Sequence, residues 1–230
     1  GVIRSSAVNH GGRTNGYSVP SAAAQAAVIG RALREAAIDP RQIGYVEAHG
    51  TGTVLGDPIE VAGLTSAWQA FTSQRQFCAL GSVKSNIGHC ESAAGIAGLT
   101  KVLLQMKHGL LVPSLHAGTA NPNIDFSSTP FRLQRSLTAW ERPIPDDGKV
   151  ARRVAAVSSS GAGGATAPLV VSEAPLLDGE DAAPATPSPV AVLLSARSPE
   201  APAEMAVHVL ACLGRAAAMA ARPLAVDVRR

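Results

Sequence analysis

A layered α/β domain is the fold class this sequence predicts, and three observations carry the prediction. Short apolar runs at Ile43 to Ala48 and Phe77 to Ser82 have the length of buried strands. They alternate with longer segments whose apolar residues recur near helical period, and a strand–helix–strand–helix order is that of a sheet covered by helices. Each run also leads into a glycine-containing loop that carries a histidine. Glycine lets the backbone approach closely, so such loops suit a pocket better than a core.

The elements follow in order. Gly1-Val2-Ile3-Arg4 reads like a strand already in progress, and with no Met at its start the chain looks cut from something longer. Pro20-Ser21 opens an Ala-rich helix through Ile38, with Val28, Ile29, Leu33 and Ala36 or Ala37 on its apolar stripe, and Asp39-Pro40 stops it. His49 stands at the end of the first apolar run. Asp57 as N-cap, with Pro58 in the first turn, starts a helix reaching about Phe71. Phe77 to Ser82 is a second strand, and it runs into a loop from Lys84 to His89. Ser92 to Lys107 is a Gly/Ala-rich helix suited to close packing, and Pro113 to Asp147 is a long irregular excursion. Val154 to Ser159 and Leu169 to Val171 form a closing strand pair, joined by the Gly161-Ala162-Gly163-Gly164 turn. Residues 1–175 thus make one domain, and 176–189 a linker rich in Pro, Ala and acidic residues. Residues 190–230 begin a further unit, with a strand at Val190–Leu194 and a helix at Pro199–Ala221.

Composition narrows the function. With 46% hydrophobic residues in 230, the chain can bury a sizeable core. A net charge of +3, scattered basic residues and only 3% aromatic content argue against nucleic-acid binding. No apolar stretch approaches the roughly 20 residues of a membrane span, and no signal peptide is legible, so no membrane partner is expected. Cys78, Cys90 and Cys212 have neither paired nor CxxC spacing, which fits reduced thiols in a cytoplasmic protein.

The chemistry lies in two motifs, His49-Gly50-Thr51-Gly52-Thr53 and Lys84-Ser85-Asn86-Ile87-Gly88-His89, with Asn9-His10-Gly11-Gly12, Asn15-Gly16-Tyr17 and Ser18-Val19-Pro20 before them. In this order they closely resemble the C-terminal half of a β-ketoacyl synthase (ketosynthase) domain of modular type I polyketide synthases, and the resemblance continues to about Pro175. It implies a thiolase-like layered fold, with residues 190–230 as the start of a flanking α/β subdomain. It also implies decarboxylative Claisen condensation between acyl and malonyl thioesters carried on acyl carrier protein. By that resemblance His49 and His89 donate hydrogen bonds to the developing oxyanion, and Lys84 orders them. Thr51 and Thr53 lie near the pantetheine arm and malonyl group, and Asn86, Ala162 and Gly163 are further substrate-binding positions. Neither metal nor redox cofactor is implied. The phosphopantetheine arm comes with acyl carrier protein, and the other partners are the N-terminal half of the ketosynthase and a second copy in the homodimer of the complete domain.

In that family the Cys nucleophile lies well upstream of both motifs, so the isolated chain is expected to be inactive. A rival reading is a non-catalytic structural or docking piece that needs an N-terminal partner half. A thiolase-like enzyme acting on coenzyme A esters is opposed by the absence of the thiolases' own C-terminal Cys motif. Cys90 adjoins His89, but adjacent side chains point apart, which speaks against a Cys–His nucleophile. His10, His108, His116 and His208 lack motif context and read as surface or loop residues.

The closing segment departs from the family. Gly161 to Gly164 is followed by Ala165-Thr166-Ala167-Pro168, where Ser or Thr, Asn, Ala and His are usual, and Ser160 stands where Phe is common. Thr offers less hydrogen bonding than Asn, and Pro has no backbone N–H, so less efficient condensation is expected. Ala162 in place of Phe, and the run from Gly88 to Gly95, resemble synthases whose acyltransferase acts in trans.

Overall fold

The computed structural model describes residues 1–14, 16, 19–144, 150–175, 204–207 and 210–211. The chain divides into two compact units, Gly1–Pro175 and Leu176–Arg230. Within the second, residues 204–207 and 210–211 are helical, inside the expected helix. The expected linker, the Val190–Leu194 strand, Asn15, Tyr17, Ser18, His208 and Cys212 lie outside the described residues.

The first unit contains β1 (Val2–Ser6), β2 (Asn9–His10), α1 (Ala22–Ala36), β3 (Ile43–Glu47), α2 (Gly56–Gln69), β4 (Cys78–Gly81), α3 (Lys84–Ile87), α4 (Ala94–His108), β5 (Leu110–Leu111), β6 (Phe131–Leu133), β7 (Thr138–Ala139), β8 (Val154–Ser160) and β9 (Ala165–Ser172). Its main sheet runs β1-β9-β8-β3-β4-β6, with β2 also paired to β9, while β5 and β7 form a small ribbon. β8, β3, β4 and β6 are mutually parallel, and β9 returns antiparallel beside β8.

Alternation along the strands builds three layers. Cys78 and Leu80, with Val154 and Ala156, join Val28, Leu33, Leu64 and Trp68 of α1 and α2 in one core. Ala79, Ala155 and Val157 join Val102 and Met106 of α4 in the other. Trp68 meets Phe131 edge-on at 5.3 Å and is fully buried, a contact class that adds about 1 kcal/mol beyond its area. At Gly63 a Cβ would come within 3.0 Å of the Ala22 carbonyl, so glycine lets α1 and α2 approach.

α1 is capped as its sequence indicates, Ser21 Oγ accepting from Ala24 N–H at 3.2 Å. α2 is not. It begins at Gly56, whose N–H is taken by Thr53 Oγ1 at 2.9 Å, and Asp57 lies within the first turn and accepts instead from Gly52 N–H at 3.1 Å. The expected Lys84–His89 loop starts with the short helix α3, and α4 follows a 3-10 turn at Glu91–Ala93. The irregular excursion contributes β6, a strand too short for its period to show in the sequence.

β9 is longer than expected and includes Pro168. The Pro168 carbonyl accepts from Ala7 N–H, and N–H and C=O of one residue point the same way in an antiparallel strand. Its missing donor therefore faces the break between β1 and β2, where the ladder makes no demand on it.

Candidate active site

Because β3, β4 and β8 are parallel neighbours, their C-terminal ends come together at one edge, the usual place for a ligand crevice in such sheets. The segment after β3 carries His49, that after β4 carries Lys84 and His89, and β8 ends at Ser160 before the Gly161–Gly164 turn into β9. A cleft of about 900 Å³ opens there, lined by His49, Thr51, Thr53, His89, Ala162 and Gly163 among others.

The His49 and His89 rings lie edge to face, with centroids 5.4 Å apart and an interplanar angle of 80°. Ser160 N–H points at His49 Nδ1 from 3.3 Å, and Lys84 Nζ lies 3.4 Å from the same nitrogen. Lys84 Nζ also donates to the His49 carbonyl oxygen. An N–H and an ammonium can only donate, so Nδ1 is an acceptor and Nε2 carries the proton. Burial, then the charge of Lys84, then His89, lower the His49 pKa to about 4, which leaves the ring neutral at pH 7. His89 is held in the same sense, because Glu91 N–H donates to its Nδ1 at 3.0 Å. Glu91 itself has φ +49°, a left-handed conformation uncommon for a side-chain-bearing residue. Both imidazoles thus present an Nε2–H.

The His49 loop is gripped from below by Glu60 of α2. Its two carboxylate oxygens accept from His49 N–H at 2.7 Å and Gly50 N–H at 2.8 Å. Burial raises the Glu60 carboxyl, and the two backbone bonds work against that shift. Sequence reading passes over Glu60, although an acid amid the apolar residues of a buried helix is a signal for a partner. It also treats His10 as a surface residue without a role. His10 is exposed, but it sits in β2 and lines the cleft, with Nδ1 accepting from Gly12 N–H at 2.9 Å.

The expected site residues divide into two groups. His49, His89 and Lys84 come together, and Thr51, Thr53, Ala162 and Gly163 line the cleft beside the two histidines. The Thr53 hydroxyl oxygen already caps α2. Asn86 is exposed on α3 and is not among the lining residues; its side-chain oxygen accepts from Ser85. Thr166 lines the cleft with its hydroxyl 3.5 Å from that of Ser160. Of the described thiols, Cys78 is fully buried, which pushes its pKa far up, and Cys90 stands outside the lining. His108 and His116 are exposed, as expected.

Residues 1–118 match the model of the β-ketoacyl synthase C-terminal domain. The chain is 55% identical over 203 residues to polyketide synthase PksL of Bacillus subtilis, covering 87% of this chain and 4% of that protein. It therefore spans a small fraction of that relative's length. Among solved structures, the oxazolomycin ketosynthase domain OzmH KS7 of Streptomyces albus aligns with TM-score 0.69 and 51% identity, over 75% of this chain and 29% of that one. The ketosynthase from module 6 of the Bacillus subtilis bacillaene synthase aligns with TM-score 0.70 and 45% identity, over 75% and 30%.

Proposed function

The chain belongs to the β-ketoacyl synthase C-terminal domain family, and on that premise we propose that it supplies the decarboxylation and enolate-stabilising half of a polyketide synthase condensation site. The observation that carries this reading is the pair of neutral-tautomer imidazoles, 5.4 Å apart, both with Nε2–H available. A malonyl thioester losing carbon dioxide leaves an enolate, whose oxygen needs donors already in place. Each such donor is worth on the order of 3 kcal/mol. His89 assists carbon dioxide loss and His49 shares the enolate oxygen. The enolate carbon then attacks an acyl thioester on a cysteine supplied by the N-terminal half, and that thiolate departs. Thr51 and Thr53 receive the phosphopantetheine arm of acyl carrier protein.

Among the described residues neither Cys78 nor Cys90 lines the cleft, which supports a nucleophile supplied by the N-terminal half; the proposal extends to a complete domain that is a homodimer in the cytoplasm. Ala162 at the hairpin tip supports the subtype whose acyltransferase acts in trans. In a complete domain, His89→Ala should lower malonyl decarboxylation by about 10²–10³-fold while acylation of the upstream cysteine survives, and His49→Ala should chiefly impair condensation. Near-normal turnover in both variants would refute the donor roles.

A further inference from the structure

Beneath the cleft, on the α4 face of the sheet, lies a charged group that the proposed chemistry does not use. Glu47 is 2% exposed, Lys101 8% and Tyr45 fully buried. Lys101 Nζ is 3.0 Å from Glu47 Oε2 and donates to the Tyr45 hydroxyl at 2.7 Å, while Tyr45 donates to the same carboxylate oxygen at 2.7 Å. The other oxygen, Glu47 Oε1, accepts from the backbone N–H of Val83. Burial and the Glu47 charge push the Tyr45 phenol well above its usual range, so it remains an O–H donor.

The placement of these groups matters more than their bonds. Glu47 ends the strand that leads to His49. Val83 immediately precedes α3, where Lys84 begins the segment that ends at His89. Lys101 belongs to α4, the helix that follows His89. One carboxylate therefore joins all three elements that flank the two imidazoles. A buried ion pair is weak evidence for stability, since well-packed apolar residues serve as well. A carboxylate, however, accepts from both sides at once, which no apolar residue and no amide can do. Gly98 on α4 keeps the space open, since a Cβ there would come within 3.0 Å of Glu47 Cγ.

We infer that Glu47, Lys101 and Tyr45 form a buried positioning unit that sets the spacing and orientation of the His49 and His89 rings. They are positioning residues and touch no substrate. The inference rests on the donor reading for its meaning, but its test reads ring geometry rather than turnover, so its failure leaves that reading standing.

The test uses Glu47→Gln in the full chain, followed by NMR of the imidazoles. Glutamine has one acceptor oxygen, so either Val83 N–H or the Lys101–Tyr45 side loses its partner. The expected result is a folded protein in which the His49–His89 ring contact weakens and the His49 titration moves up from about 4 toward 6.5. Gly98→Ala displaces the carboxylate without removing a polar atom, and it should shift both readouts in the same direction. It decides the matter if Glu47→Gln does not fold. A folded variant with unchanged ring contact and unchanged titration would reduce the unit to a structural ion pair and overturn the inference.

Discussion

Two walls of the cleft are held in different ways. The His49 and His89 loops are gripped by charged groups, namely Glu60 on two backbone N–H groups, Lys84 on the His49 carbonyl, and the Glu47–Lys101 pair beneath. Among the described residues, the opposite wall, the Gly161–Gly164 tip, is held by backbone bonds: Gly161 to Ala165, Gly164 to Gly161, and Gly11 to Gly164, at 2.8–2.9 Å. Charged anchors in a buried setting tolerate little change, because removing one partner strands the other. Backbone bonds do not depend on side-chain identity.

The comparison would break first at the ion pair. Lys101→Met strands the Glu47 carboxylate and should destabilise the chain by about 3–5 kcal/mol in denaturant unfolding. A loss below about 1 kcal/mol would show that water already reaches Glu47. Glu60→Gln keeps one of two acceptors for His49 and Gly50 N–H, and the cost should be about 1–3 kcal/mol, together with loss of order in the His49 loop.

pH sharpens the same contrast. The folded His49 pKa of about 4 lies below its ordinary 6.5, so the folded state binds fewer protons than the unfolded state between those values. Stability is complete above pH 6.5 and falls as the pH drops toward 4, by about 2 kcal/mol once partial solvent exposure is allowed for. His49→Gln should abolish this component, and an unchanged pH profile in that variant would contradict it.

The smallest effect belongs to the hairpin wall. Thr166 meets Ser160 at 3.5 Å, a long contact worth under about 1 kcal/mol. Thr166→Asn in a complete domain should therefore raise condensation relative to acylation by less than about tenfold. Equal rates would make the position peripheral.

Much of this molecule is legible in its sequence. The apolar runs before His49 and His89 mark the two parallel strands at the centre of the sheet, and the motifs locate both imidazoles and Lys84. What escapes is non-local. β6 has three residues and exists only because β4 offers it an edge. Asp57 looks like a helix cap, but Thr53 reaches Gly56 first. Pro168 looks like a strand breaker because its missing donor cannot be matched, from sequence, to a break in the neighbouring strand. His10 enters the cleft through the pairing of β2 with the distant β9. Glu47 and Lys101 are each visible as charges in apolar surroundings, but their pairing across the sheet and α4 is a tertiary fact.

The central claim is that both imidazoles accept at Nδ1 and carry their proton on Nε2. Nitrogen-15 NMR of the ring nitrogens in the full chain tests it most directly. Both His49 and His89 should show an unprotonated Nδ1 and a protonated Nε2. A protonated Nδ1 on either ring would contradict the paired-donor site.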